Sequence, residues 1–224
     1  MAEPENLNTA HPWSPVDLAA WKRGAHYRLY SAGGFPYLGA TVRLDITAAH
    51  ERCSAAGVSF FAAFLYLAAR AMNELENFRY RVTAQGKVIL CEQVDPSWTV
   101  LDKDSELFYF AKASGAGRFG DFAPRVKEAS ARAVSAKFLR NDRLDVFYTS
   151  ALPWLDFSDC IQPLELSASD ATPRLVWGKY TPEGSRLRMP VSCTAHHGFV
   201  DGLHLGRLME RLQQMCLDFD PAVD

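Results

Sequence analysis

Two adjacent histidines, His196 and His197, are followed by Gly198-Phe199-Val200 and then by Asp201-Gly202. The segment falls where an apolar stretch gives way to an amphipathic one, so titratable side chains are concentrated at a chain reversal. A neutral imidazole can take a proton near pH 7, because its unperturbed pKa is about 6.5. One of the two histidines can therefore act as general base on a hydroxyl. Taken alone, the same residues have quieter readings: Asp201 as the cap of the following helix, and the histidine pair as structural. A metal site built on His197 with Asp201 or His204 lacks an evident third and fourth ligand.

The elements that must position these groups follow from periodicity. Residues 187–195 read as an apolar strand, paired with 175–180 through a turn at Pro182-Glu183-Gly184, and residues 202–217 as the final helix. The histidines thus lie between strand and helix. Leu18, Trp21 and Ala25 predict a short helix over 17–26, led by Pro15 and Asp17, with Arg23 near its end. Residues 35–46 alternate towards their end as a strand with one wet face, after which Thr47 is placed to cap a helix. The stretch 59–75 is apolar on nearly every side and predicts a buried helix. A hairpin of 78–83 with 87–91, strands over 97–101 and 106–111, an amphipathic helix over 120–138, a strand over 144–150 and a proline-containing loop over 153–173 complete the chain. Helices alternating with mostly hairpin-linked strands predict an α/β two-layer sandwich with a mixed sheet, and residues 1–224 as a single domain without repeats.

Composition narrows the function. Of 224 residues, 48% are hydrophobic and 22% charged, the balance of an ordinary globular protein. Lys and Arg number 24 against 26 Asp and Glu, so the formal charge of -2 offers no general attraction to nucleic acid or anionic lipid. No run approaches the ~18 apolar residues of a membrane span, and no leader pattern opens the chain, which together predict a cytoplasmic location. The five cysteines (Cys53, Cys91, Cys160, Cys193, Cys216) are scattered and never spaced C-x-x-C, which predicts reduced thiols.

At its two histidines, three intervening residues and Asp-Gly, the chain resembles the chloramphenicol acetyltransferase family. The resemblance also covers Trp21-Lys22-Arg23 with His26-Tyr27, Leu44-Asp45-Ile46-Thr47, Val94-Asp95-Pro96, Ser150-Ala151-Leu152-Pro153-Trp154, Lys179-Tyr180 and residues 202–213, in family order over about nine-tenths of the chain. It implies the fold of a CoA-dependent acyltransferase, acetyl-CoA as cosubstrate, no metal, and a homotrimer with active sites between subunits. It further implies His197 as general base, Ser150 as donor to the tetrahedral oxyanion, and Arg23 with Asp201 as an ion pair that organises the site without relaying a proton. Tyr30, Thr99 and Phe108 fall at acceptor-pocket positions, and Tyr180 with Lys179 beside CoA. On spacing alone Phe108 reads as core.

Departures from the family pattern concern binding. Cys160 and Gln162 stand in the loop where apolar side chains commonly line the acceptor pocket, with Leu164 the close match. Gly34 and Pro36 replace other side chains near the first strand, Val176 stands for a threonine that holds a water, and Ser59 for a lysine that approaches the CoA phosphate. Three alternatives stay open: acetylation of a different alcohol or amine, an acyltransferase core of the dehydrogenase-complex type, and a silent trimeric binding protein. The absence of a lipoyl module or Ala/Pro linker counts against the second.

Overall fold

The computed structural model describes residues 7–139, 143–164 and 170–224. Its main sheet carries, in spatial order, β2 (Tyr37–Asp45), β10 (Arg186–His196), β8 (Arg174–Gly178), β7 (Val146–Leu152), β5 (Asp95–Asp102) and β6 (Leu107–Lys112), with the short β9 (Thr181–Glu183) on β10. The β8–β7 and β7–β5 pairs are parallel and the rest antiparallel, so the sheet is mixed.

Side chains alternate between the faces of a strand, and the two faces differ in kind. Leu44, Met189, Val191, Cys193, Leu175, Phe147, Trp98, Tyr109 and Ala111 are buried on one face, where Trp98 Nε1 donates to Ser130 on helix α4 (Phe119–Ala136). Over that face α4 packs beside α3 (Phe60–Glu74), and α3 beside α5 (Gly202–Asp218), which also meets α2 (Thr47–Ala56). Each fully buried aliphatic or aromatic side chain there contributes about 1.5–3 kcal/mol of transfer free energy. The opposite face carries Arg43, Ser192, Val176, Ser150, Thr99 and Phe108.

Helix α3 forms because its sequence is apolar on nearly every side up to Arg70 and its start is capped: the Ser59 hydroxyl accepts from the Ala62 amide. The helix over 59–75 is thus as expected. The one that precedes the first strand is displaced. Residues 17–23 turn tightly, with the Asp17 carboxylate accepting from the Ala19 amide, and α1 spans only Gly24–Ser31. A Cβ at Gly24 would lie 2.0 Å from the Leu18 carbonyl oxygen, so the turn admits no side chain at that point. Arg23 therefore stands immediately before α1, with no side-chain cap bond to it, instead of lying near a helix end. The spacing of Leu18 and Trp21 reflects packing of the turn, with Trp21 against Tyr80 and Phe199.

Thr47 is the first residue of α2, not its cap; the Asp45 carboxylate accepts from both the Thr47 amide and hydroxyl. Gln213 of α5 bonds the amide and the carbonyl of Asp45, which ties the last helix to β2. A second sheet joins β1 (Trp13–Pro15), β4 (Val88–Cys91) and β3 (Tyr80–Val82). The β3–β4 hairpin matches the expectation, whereas β1 carries no periodic signal in three residues and forms only because β4 offers it an edge. The loop expected over 153–173 is irregular over 153–164 and 170–173; residues 165–169 lie outside the described residues. Among the described residues, no helix is long and apolar enough to cross a membrane, and all five cysteines are unbridged.

Candidate active site

His197 leaves the end of β10, where its amide donates to the Pro36 carbonyl (2.7 Å). Its Nδ1 lies 3.0 Å from the carbonyl oxygen of Val200. A carbonyl can only accept, so this contact requires the proton on Nδ1 and leaves the Nε2 lone pair as the acceptor of the neutral ring. Tyr30 of α1 stacks on the imidazole, with centroids 3.9 Å apart and planes at 18°. The side chain is half-buried, oriented and still reachable.

Arg23 clamps the turn that carries His197. Its Nη1 donates to the Asp201 carboxylate (3.0 Å), its Nε to the Gly198 carbonyl (3.2 Å) and its Nη2 to the His197 carbonyl (3.4 Å). Asp201 caps α5 by accepting from the Leu203 amide, and its carboxylate also stands 2.8 Å from His204 Nδ1. Burial pulls the Asp201 carboxyl upward, but the Arg23 guanidinium and His204 together hold it below the ordinary carboxylate range. The capping reading and the ion-pair reading of Asp201 are therefore both realised.

His196 has the opposite environment. It is 1% exposed, and burial depresses its pKa to about 4. Its Nδ1 accepts from the Gly198 amide (3.0 Å), and its Nε2 has no hydrogen-bond partner among the described residues. A Cβ at Gly198 would meet the Tyr27 backbone at 2.9 Å and the His196 ring at 3.0 Å, so only glycine fits between them. Of the two adjacent imidazoles, His196 is packed and shut away while His197 is presented.

Ser150 lies elsewhere, in the middle of the sheet on the face away from the helices. Its hydroxyl is hydrogen-bonded to that of Thr99 on β5, and Val176 is its partner on β8. Phe108 is 52% exposed on the same face, packed edge-on against Phe110. It is thus on the open surface and not in the core that spacing alone suggested. Tyr180, beyond the end of β8, bonds through its hydroxyl to His50 Nε2 (3.0 Å), and Lys179 beside it is exposed, its amide donating to the Leu155 carbonyl.

The register places these groups far apart. Ser150 pairs with Val176, and Val176 with Ser192, so two strand spacings and five residues along β10 separate Ser150 from His197. At ~4.8 Å per strand and ~3.3 Å per residue this is roughly 19 Å. Tyr180 lies at the far end of β8 again. The loop after β7 crosses the open face towards β2, where Arg43 pairs with Asp156 and Thr41 bonds to Asp159. Cys160 follows Asp159 directly and so lies on the β2 side, with Gln162 and Leu164 further along the same loop. The Gln162 Nε2 is buried and has no hydrogen-bond partner among the described residues.

The structure therefore gathers Arg23, Tyr30, His197 and Asp201 into one group, and Thr99, Phe108 and Ser150 into another. Sequence reasoning missed the Val200 carbonyl that fixes the His197 tautomer and the bond between Thr99 and Ser150. The first has only an i, i+3 spacing as its signal, and the second none. Among the described residues no cluster of three or more His, Cys, Asp or Glu side chains is placed to hold a metal ion.

Comparison with known proteins gives these groups a context. The family described as chloramphenicol acetyltransferase matches residues 12–213. Chloramphenicol acetyltransferase 2 of Escherichia coli is 31% identical over 211 residues, covering 90% of this chain and 95% of its own length. A chloramphenicol acetyltransferase of Klebsiella sp is 29% identical over 91% of this chain and 94% of its own. Among solved structures, a chloramphenicol acetyltransferase superposes with a TM-score of 0.82 at 26% identity, over 92% of this chain and 100% of its own. The cubic core of a pyruvate dehydrogenase multienzyme complex does so with a TM-score of 0.64 at 20% identity, over 92% and 97%, a likeness of fold alone.

Proposed function

The chain belongs to the chloramphenicol acetyltransferase family and is an acyltransferase, and from this we propose that it acetylates the primary hydroxyl of chloramphenicol with acetyl-CoA as cosubstrate. The reaction runs in one transfer. His197 Nε2 takes the hydroxyl proton as the oxygen attacks the thioester carbonyl; Ser150 donates to the resulting oxyanion; the C–S bond then breaks, and the thiolate recovers the proton from the imidazolium. No acyl-enzyme forms. One observation carries the assignment of the base: the Nδ1 contact with the Val200 carbonyl, which reserves Nε2 for the acceptor.

A single subunit cannot run this reaction. Base and oxyanion donor must both lie within a few ångströms of one carbon, and the register holds them roughly 19 Å apart. A second copy must bring its Ser150 to the His197 of the first, so the reading requires an oligomer, with three copies as the family implies. Exposed apolar side chains support it on both sides: Leu29 and Phe35 near His197, and Leu101 and Phe108 on the face of Ser150. Each subunit, residues 1–224, is read as one domain. Tyr180 and Lys179 line the cosubstrate's path, and the enzyme works in the cytoplasm.

A second reading of the acceptor rests on Gln162. A buried amide left without a partner costs about 1–3 kcal/mol, and an alcohol or amine bearing a hydrogen-bond acceptor would relieve it. Release of CoA from acetyl-CoA, measured against chloramphenicol and a panel of alcohols and amines, separates the two. Turnover of chloramphenicol by a purified trimer is the expected result. Efficient turnover of another acceptor, with none of chloramphenicol, would leave the mechanism standing and overturn the substrate; no turnover with any acceptor would favour a binding protein.

A further inference from the structure

From the bond between the Thr99 and Ser150 hydroxyls we infer that Thr99, placed by sequence among the acceptor-pocket residues, acts instead as the positioning residue for the oxyanion donor. The inference rests on the proposed role of Ser150. A serine hydroxyl has one proton and two lone pairs. If that proton is committed to the oxyanion, the contact with Thr99 must run the other way, with Thr99 Oγ1–H donating to Ser150 Oγ.

This direction has two consequences. A hydroxyl that accepts a hydrogen bond is polarised into a better donor, so Thr99 strengthens the bond Ser150 makes as charge develops. It also stops the Ser150 rotor from turning its proton away. The side chain of Thr99 suits this role, being β-branched and stiff at χ1. It stands on β5, whose register with β7 sets Trp98 opposite Thr149 and so holds the two hydroxyls side by side. The other neighbour of Ser150 across the sheet, Val176, has no polar atom on its side chain, so Thr99 is the side-chain partner among the described residues that can fix this rotor. Residues lining an acceptor pocket act on substrate binding; a residue acting through Ser150 acts on the transition state.

The two roles separate in steady-state kinetics of the intact oligomer. Thr99→Val keeps the shape and removes the donor, and it is expected to lower kcat roughly fivefold to tenfold with KM for the acceptor within about twofold, the size of one lost neutral hydrogen bond. Thr99→Ser should restore most of the rate. In a Ser150→Ala background, Thr99→Val should cost nothing further, because the group it positions is gone. A raised KM with kcat unchanged, or an equal further loss in the Ser150→Ala background, would overturn the inference and return Thr99 to the acceptor wall. A Ser150→Ala enzyme with full activity would instead overturn the role of Ser150 itself. Failure of Thr99→Val to assemble leaves the test to Thr99→Ser: a loss as large as that expected for Thr99→Val would also count against the proposal.

Discussion

The His197 turn and the Ser150 patch are built in different ways. Around His197 the chain supplies its own constraints: an amide bonded to Pro36, a ring bonded to Val200 and stacked on Tyr30, and a guanidinium holding two carbonyls and the Asp201 carboxylate. Ser150 has one side-chain partner among the described residues, Thr99, on an open sheet face that also carries exposed Leu101 and Phe108. On the proposed mechanism, one half-site is finished within the subunit and the other is completed by a neighbour. A base must be oriented before the acceptor arrives, whereas an oxyanion donor has only to be present where charge appears, so a single rotor fixed by one hydrogen bond is sufficient.

The largest expected effect strikes the finished half. His197→Ala should lower kcat/KM on the order of 10⁴-fold by removing the general base, while His196→Ala should leave measurable activity, since that ring is enclosed. Equal loss in both folded variants would break the distinction. Mixed oligomers make the comparison sharper. His197→Ala and Ser150→Ala oligomers should each be strongly impaired, yet co-assembled subunits should turn over faster than either, because some interfaces then carry an intact His197 opposite an intact Ser150. Absence of recovery in verified mixed trimers would place both residues in one subunit's site. Ser150→Ala by itself should lower kcat about 10²–10³-fold with little change in KM.

A smaller effect tests the enclosed imidazole. The pKa of His196 is depressed to about 4 in the fold, against about 6.5 when exposed, so between these values the unfolded chain binds the extra proton. Stability should therefore be full above pH 6.5 and fall as the pH drops towards 4, by about 3 kcal/mol in all at 1.36 kcal/mol per pH unit. His196→Asn should flatten that part of a denaturation profile; an unchanged slope would show that the ring is not the titrating group. The smallest effect concerns the clamp. Asp201 is about one-third exposed in the isolated subunit, so Arg23→Ala and Asp201→Ala should each cost about 1–3 kcal/mol of stability as well as rate. The double variant should lose less than the sum by at least ~0.5 kcal/mol. Strict additivity would dissolve the pair.

The same contrast governs how much could be read from the chain. The His-His-x-x-x-Asp-Gly turn was legible because its groups are consecutive: strand end, base, cap and helix start follow one another within seven residues. Helix α3 was legible because an unbroken run of ten apolar residues, 60–69, has no other stable arrangement in water than burial. The mixed two-layer architecture followed from the order of helices and hairpins. The start of α1 was misplaced because its apolar spacing serves the packing of a tight turn against Tyr80 and Phe199, residues far away in sequence. Strand β1 escaped notice because three residues hold no period until β4 lies beside them.

The sequence by itself determined which residue types stand at the turn and on the strands, and the order of the elements that carry them. Only the tertiary structure decided that Ser150 and Thr99 share a hydrogen bond and that roughly 19 Å of sheet separates Ser150 from His197. The physical reason is that strand register and sheet order are set by contacts between segments distant along the chain, Ser150 and Thr99 being 51 residues apart. The local pattern that marks each strand carries no information about which neighbour it will meet.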